Sequence, residues 1–233
     1  MSPILVALDV PEAGQALELA ESLAPHVGGF KVGLELLMGA GPSVIESVGR
    51  FGLPVFADVK LHDIPNTVHG AARRLGALGA RWITVHGSGG REMIAAAVSG
   101  LALEATGQAG VLVVTVLTSL DDSALDELGL GRDVGGQVEL LSRLADDSGA
   151  EGVVCAVDEV ARVKVAAPGL SVITPGIRPP APTTDDQRRV ATLSEALSAG
   201  ADWVVVGRPI TSAPDVVAAA IGMSKEAAKV SAP

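Results

Sequence analysis

Asp58 and Lys60 stand two residues apart in the run Asp58-Val59-Lys60-Leu61-His62-Asp63-Ile64-Pro65-Asn66-Thr67. In an extended strand such residues share a face, so the carboxylate and the ammonium meet on one side while Ala57 and Val59 take the other. A lysine held among carboxylates is a fixed positive charge that can also release a proton; an arginine holds its proton too tightly. The competing interpretation is a salt bridge that only ties down a strand end. Other polar residues end or follow apolar runs in the same way: Asp9, Lys31, His86, Thr118, Arg178 and Arg208. That recurrence favours one shared charged site over isolated pairs.

Short β-branched runs alternate with Ala/Leu-rich amphipathic stretches along the chain. The runs occupy 4–10, 30–33, 54–60, 82–86, 111–117, 152–157, 171–175 and 203–207. Helical periodicity occupies 13–24, 44–50, 68–78, 92–103, 136–147 and 186–199, with a last helix over 214–229. Several runs are apolar on both faces, as parallel strands covered by helices must be. Eight β-then-α units in 233 residues predict an α/β fold: a single-domain (β/α)8 TIM barrel over 1–233, with a loose tail from about 225 to 233. The rival is an open doubly wound sheet, which usually carries a glycine fingerprint after its first strand. Here that strand ends Leu8-Asp9-Val10-Pro11. Barrels carry their sites at the C-terminal ends of the strands. Asp9 ends the first strand, Lys31 lies in the second, and Asp58 and Lys60 end the third. His86 ends the fourth, Thr118 the fifth, and Arg178 and Arg208 follow the seventh and eighth.

Composition narrows the possibilities further. Hydrophobic residues make up 48% and charged residues 19%, enough to bury a substantial core. Aromatics are 2% with no Tyr, so Val, Leu, Ile and Ala must fill that core, and base-stacking platforms are disfavoured. A net charge of −10 argues against a general binder of nucleic acid or anionic membrane, so an anionic ligand must be met by local cations. Cys155 is the single cysteine; Gly-Val-Val-Cys-Ala-Val around it reads as a buried strand, and a disulfide-free chain suits a reducing, cytoplasmic setting. The N-terminus lacks the basic region of a signal peptide. The apolar run at 109–117 is far short of the ~18 residues that suggest a membrane span. The four His include no metal-ligand spacing. His86-Gly87-Ser88-Gly89-Gly90 reads as a tight βα turn rather than a phosphate cradle, and Asp121-Asp122 as a helix start.

The 58–67 run closely resembles the signature of the orotidine 5′-monophosphate decarboxylases. The resemblance continues in order through Leu8-Asp9, Phe30-Lys31-Val32-Gly33, Leu117-Thr118-Ser119, Thr174-Pro175-Gly176-Ile177-Arg178-Pro179, Asp186-Gln187-Arg188-Arg189 and Gly207-Arg208-Pro209. It implies conversion of orotidine 5′-monophosphate to UMP and CO2, the last step of UMP biosynthesis, with no cofactor and no metal. It implies Lys60 as the proton donor to C6 of the pyrimidine, Asp58 beside the departing carboxylate, and Lys31 and Asp63 completing the charged array. Asp9 and Lys31 would contact the ribose and Thr118 the pyrimidine, while Ile64 and Thr67 also belong to the implied binding set. Arg178, Gln187, Gly207 and Arg208 would hold the substrate, mainly its phosphate. The family is a homodimer with shared sites, Asp63 and Thr67 reaching into the neighbouring subunit. The Pro-rich 178–184 loop, which joins Arg178 to Gln187, would serve as a lid.

Two rivals stand beside this reading. Sugar-phosphate enzymes of the same barrel superfamily, the 3-keto-gulonate-phosphate decarboxylases and hexulose-phosphate synthases, share the Asp-x-Lys-x-x-Asp core and use Mg²⁺. They generally carry Glu where this chain has Lys31, and they lack the Ile64-Pro65-Asn66-Thr67 continuation and the 174–179 segment. A silent nucleotide-phosphate-binding barrel would keep Gln187 and Arg208 but could lose the charged array, which is complete here in Lys31, Asp58, Lys60 and Asp63.

Overall fold

The computed structural model describes residues 2–178 and 190–230. Eight strands form a closed parallel barrel: β1 (Ile4–Ala7), β2 (Gly29–Val32), β3 (Val55–Leu61), β4 (Trp82–His86), β5 (Gly110–Val114), β6 (Gly152–Val154), β7 (Ser171–Thr174) and β8 (Trp203–Val206). β1 closes the ring by pairing with both β2 and β8. The expected (β/α)8 architecture is therefore the observed one. Strands 1, 5 and 6 end earlier than the apolar runs suggest, at Ala7, Val114 and Val154. The residues beyond them, among them Asp9, Val10, Val116, Leu117 and Cys155, leave the ladder to line the mouth.

The helices are α1 (Ala13–Leu23), α2 (Leu34–Ala40), α3 (Val44–Gly49), α4 (Pro65–Ala77), α5 (Gly90–Glu104), α6 (Asp122–Glu127), α7 (Val134–Asp147), α8 (Val160–Ala166), α9 (Leu193–Ser198), α10 (Arg208–Thr211) and α11 (Val216–Val230). α4 begins at Pro65 because proline's fixed φ and missing N–H suit the first helical turn. α6 begins as expected, with the Asp121 carboxylate accepting from the Ala124 N–H at 3.0 Å. α9 begins at Leu193, where Thr192 and Glu195 cap it reciprocally; the expected start at 186 lies outside the described residues. The tail expected from about 225 is corrected: α11 runs through Val230, and Ala227 is buried.

Strand parity sorts the barrel into two apolar layers. Ile4, Val6, Ala57, Ile83, Val113 and Val204 face the helices and belong to the larger core. The opposite parity fills the barrel with Leu5, Ala7, Phe56, Trp82, Leu112, Ile173 and Val205. The same inward parity continues upward to Asp9 just past β1, Lys31 on β2, Asp58 and Lys60 on β3, and Thr84 on β4. The apolar interior therefore forms a rigid base beneath the charged mouth.

At the opposite end the floor is built around Trp82, whose ring meets Trp203 edge-on at 5.2 Å. The Arg81 guanidinium lies 4.4 Å over the Trp82 ring. Glu151 accepts from Arg81 Nη1 and Nη2 at 2.8 and 2.6 Å and from Trp82 Nε1 at 2.8 Å. Burial pushes the Glu151 carboxyl up, but the hydrogen bonds from Arg81 and Trp82 and the Arg81 charge outweigh it, so the net shift is downward from 4.5. A lowered carboxyl contributes stability that is present above its unfolded value and lost as pH falls through the folded one. Glu151→Gln is expected to lower unfolding free energy by about 1–3 kcal/mol at pH 7, and to reduce the loss of stability between neutral and acid pH. Urea titrations at pH 7 and pH 4 check both.

Candidate active site

The mouth of the barrel encloses a cavity of about 640 Å³. Phe56, Val154 and Val205 form its base, and Asp9, Lys31, Asp58 and Lys60 supply its charged wall. Lys31 Nζ donates to Asp9 Oδ1 at 2.8 Å and lies 3.8 Å from Asp58 Oδ2. Lys60 Nζ donates to the same Asp58 oxygen at 2.7 Å. Asp58 is the deeper carboxylate: its side chain is 13% exposed against 51% for Asp9. The result is an alternating array in which each ammonium touches a carboxylate and Asp58 lies between two ammonium groups. Gly33 makes room for it, since a Cβ there would lie 2.7 Å from both Asp9 Oδ1 and Lys31 Nζ.

The third strand is less regular than simple alternation implies. Its register against β4 shifts between Ala57 and Leu61. Lys60 occupies the left-handed region at φ 48°, the one non-glycine among the described residues to do so. Such backbone strain costs on the order of 1–3 kcal/mol and clusters at functional sites. Nothing in the residue types announces it, because lysine has no special preference for that conformation. Thr84, buried on β4, accepts from the Lys60 N–H and donates to Asp58 Oδ1, each at 2.9 Å. It too is silent in the sequence, since a threonine in an apolar run reads as an ordinary strand former.

The expected binding residues Thr118, Arg178, Gly207 and Arg208 all line the same cavity. Gln15, Glu35, Thr211 and Ser212 join them at the rim without a sequence signal, because they lie on α1, α2 and around α10 rather than at strand ends. Arg178 sits where the loop is pinned: its N–H donates to Ala191 O at 2.9 Å, and Ala191 N donates to Gly176 O at 3.2 Å. Gln187 and the 179–184 part of the expected lid lie outside the described residues.

Asp63, Ile64 and Thr67 are not brought to this cavity. They are exposed around the start of α4, Ile64 to 66%, and Asp63 Oδ1 accepts from the Ile64 N–H at 2.6 Å. Within one chain, Asp63 therefore does not complete the array around Lys60. Cys155 is buried, as expected for a core strand residue, and also borders the cavity. The 87–90 glycine segment forms a tight turn into α5 and does not line the cavity. Among the described residues no group of three or more His, Cys, Asp or Glu is arranged to hold a metal ion. No described helix is long and apolar enough to cross a membrane.

Residues 2–222 match the Orotidine 5'-phosphate decarboxylase / HUMPS family. An orotidine 5'-phosphate decarboxylase from Anaeromyxobacter sp. (strain K) is 51% identical over 218 residues, covering 93% of this chain and 94% of the relative. The one from Thermobifida fusca is 46% identical, covering 99% and 98%. The crystal structure of orotidine 5'-phosphate decarboxylase from Lactobacillus acidophilus superposes with a TM-score of 0.86 at 38% identity, covering 97% of this chain and 99% of that one.

His86 ends β4 beside this site, its ring 5.4 Å from that of His62. Burial lowers the His86 pKa from 6.5; the charges of His62 and Lys60 lower it further, and Asp58 opposes them. A histidine lowered on folding takes up its proton more readily in the unfolded chain, so stability falls as pH drops through about 6.5 toward the folded value. His86→Asn is expected to flatten that part of the stability profile, which chemical denaturation at pH 7.5, 6.5 and 5.5 would reveal.

Proposed function

Because the chain belongs to the orotidine 5'-phosphate decarboxylase / HUMPS family, we propose that it converts orotidine 5′-monophosphate to UMP and CO2. The observation that carries this reading is the array at the mouth: Lys60 2.7 Å from Asp58, with Lys31 completing a second contact to the same carboxylate. Lys31 also separates this reading from the Mg²⁺-dependent sugar-phosphate enzymes, which place a carboxylate in the second strand. Here β2 supplies a buried ammonium instead.

The geometry supports a direct mechanism. The bond between C6 and the carboxylate carbon breaks, CO2 leaves, and the electron pair stays on C6. No carbonyl is placed to delocalise that pair, so a fixed positive group must face it. The Lys60 ammonium supplies the charge and then transfers a proton from Nζ to C6. Asp58 holds Lys60 and stands beside the departing carboxylate. Repulsion between two carboxylates ~4 Å apart amounts to about 4 kcal/mol at an effective dielectric near 20. Enzymes lower barriers by ~8–23 kcal/mol or more, so preorganised charge at C6 must contribute the larger share. Asp9 and Lys31 take the ribose, Thr118 the pyrimidine, and Arg178, Gln187, Gly207 and Arg208 the phosphate. Binding energy from the phosphate then helps hold the array in place.

The protein works as a cytoplasmic homodimer in which Asp63 and Thr67, with Ile64 between them, serve the partner's site. The exposure of this segment, only three residues from Lys60 in sequence yet outside its own cavity, supports that division. The primary test is the loss of substrate absorbance on mixing purified protein with orotidine 5′-monophosphate and no added metal; EDTA is expected to leave the rate unchanged. Lys60→Ala should still bind UMP and lose more than about 10³-fold in turnover; unchanged turnover would overturn the assignment. Mixing inactive Lys60→Ala and Asp63→Asn chains should restore about a quarter of wild-type activity through mixed dimers, each with one intact site. If Asp63 serves its own chain, no activity returns.

A further inference from the structure

Thr84 is remote from the 58–67 run in sequence and does not line the cavity, yet it touches two of the groups on which the reaction depends. Its hydrogen-bond polarity follows from chemistry alone. The Lys60 backbone N–H can only donate, so Thr84 Oγ1 accepts there. The single hydroxyl proton is then directed to Asp58 Oδ1. With Oδ1 occupied, Oδ2 is the oxygen turned to Lys60 Nζ at 2.7 Å and Lys31 Nζ at 3.8 Å. Lys60 is thus held at both ends, its backbone by Thr84 and its ammonium by Asp58, which Thr84 also holds.

This closed ring spans the place where the β3–β4 ladder is irregular. Between Ala57 and Leu61 the β3–β4 register shifts. The Thr84 side chain supplies there the acceptor that a regular ladder would draw from backbone. Lys60 can keep φ 48° because its N–H remains satisfied in that conformation. We propose that Thr84 is a positioning residue for the decarboxylation, fixing in one step the rotamer of Asp58 and the backbone of Lys60. This rests on the decarboxylase reading of the site. Thr84 contacts no reacting atom; it acts through the two residues it holds.

The test compares Thr84→Ser, Thr84→Cys and Thr84→Val with wild type. Serine keeps the hydroxyl, cysteine offers a weaker donor and acceptor of similar shape, and valine keeps the shape alone. Turnover of orotidine 5′-monophosphate, affinity for UMP by calorimetry and thermal unfolding are measured for each. In Thr84→Val, kcat is expected to fall on the order of 100-fold, with KM and the UMP dissociation constant within about threefold of wild type. Thr84→Ser should retain kcat within about fivefold, and Thr84→Cys should fall between. Wild-type kcat in the valine variant would overturn the proposal. So would a serine variant as slow as valine, or a loss appearing in KM and UMP affinity instead of kcat. If the valine variant does not fold, the serine–cysteine pair decides, equal kcat values counting against the proposal. Absence of turnover in wild type would instead reject the decarboxylase reading, so the two failures are distinct.

Discussion

The Asp58 carboxylate lies between two ammonium groups and a hydroxyl at the top of an apolar barrel. Taking such charges out of water is costly unless each is paired in good geometry. That requirement explains much of the surrounding structure. Four neighbouring strands must deliver their inward residues to one point without slack, which the packed layer of Leu5, Phe56, Leu112 and Val205 provides. Position 33 must lack a side chain, because its Cβ would crowd the Asp9–Lys31 pair. A protein of net charge −10 can hold an anionic substrate here because Lys31, Lys60, Arg178 and Arg208 concentrate cations around one cavity.

The fold was legible because parallel strands in a barrel repeat a simple pattern. Apolar runs separated by amphipathic helices marked all eight strands, and two-residue parity alone put Asp58 and Lys60 on the inward face. Strand ends were less legible. Asp9 and Val116 continue an apolar run in sequence but leave the ladder in space, and no local propensity distinguishes the two. The short helices, such as α2 and α10, offer too few turns for periodicity to register.

The site was legible where side-chain chemistry announced itself and not where backbone geometry or a modest residue carried it. Lys31, Asp58 and Lys60 are unusual in strands and stood out. Thr84 is a common strand residue, and its importance arises only from the register shift opposite it. Gln15 and Glu35 reach the rim from helices, so a search confined to strand ends passes them by. Asp63 carried the reverse lesson: proximity in sequence to Lys60 did not bring it into the same cavity. The turn into α4 at Pro65 carries the intervening chain outward.

The floor of the barrel bears on traffic through its mouth. Trp82 and Trp203 meet edge-on there, and the Arg81–Glu151 pair brackets Trp82. Such a plug makes the chamber single-ended. Whatever occupies the cavity has one way in and one way out, past the rim residues Gln15, Glu35 and Arg208. Entry and departure therefore share a single gateway, and a second molecule cannot enter until the first has cleared it.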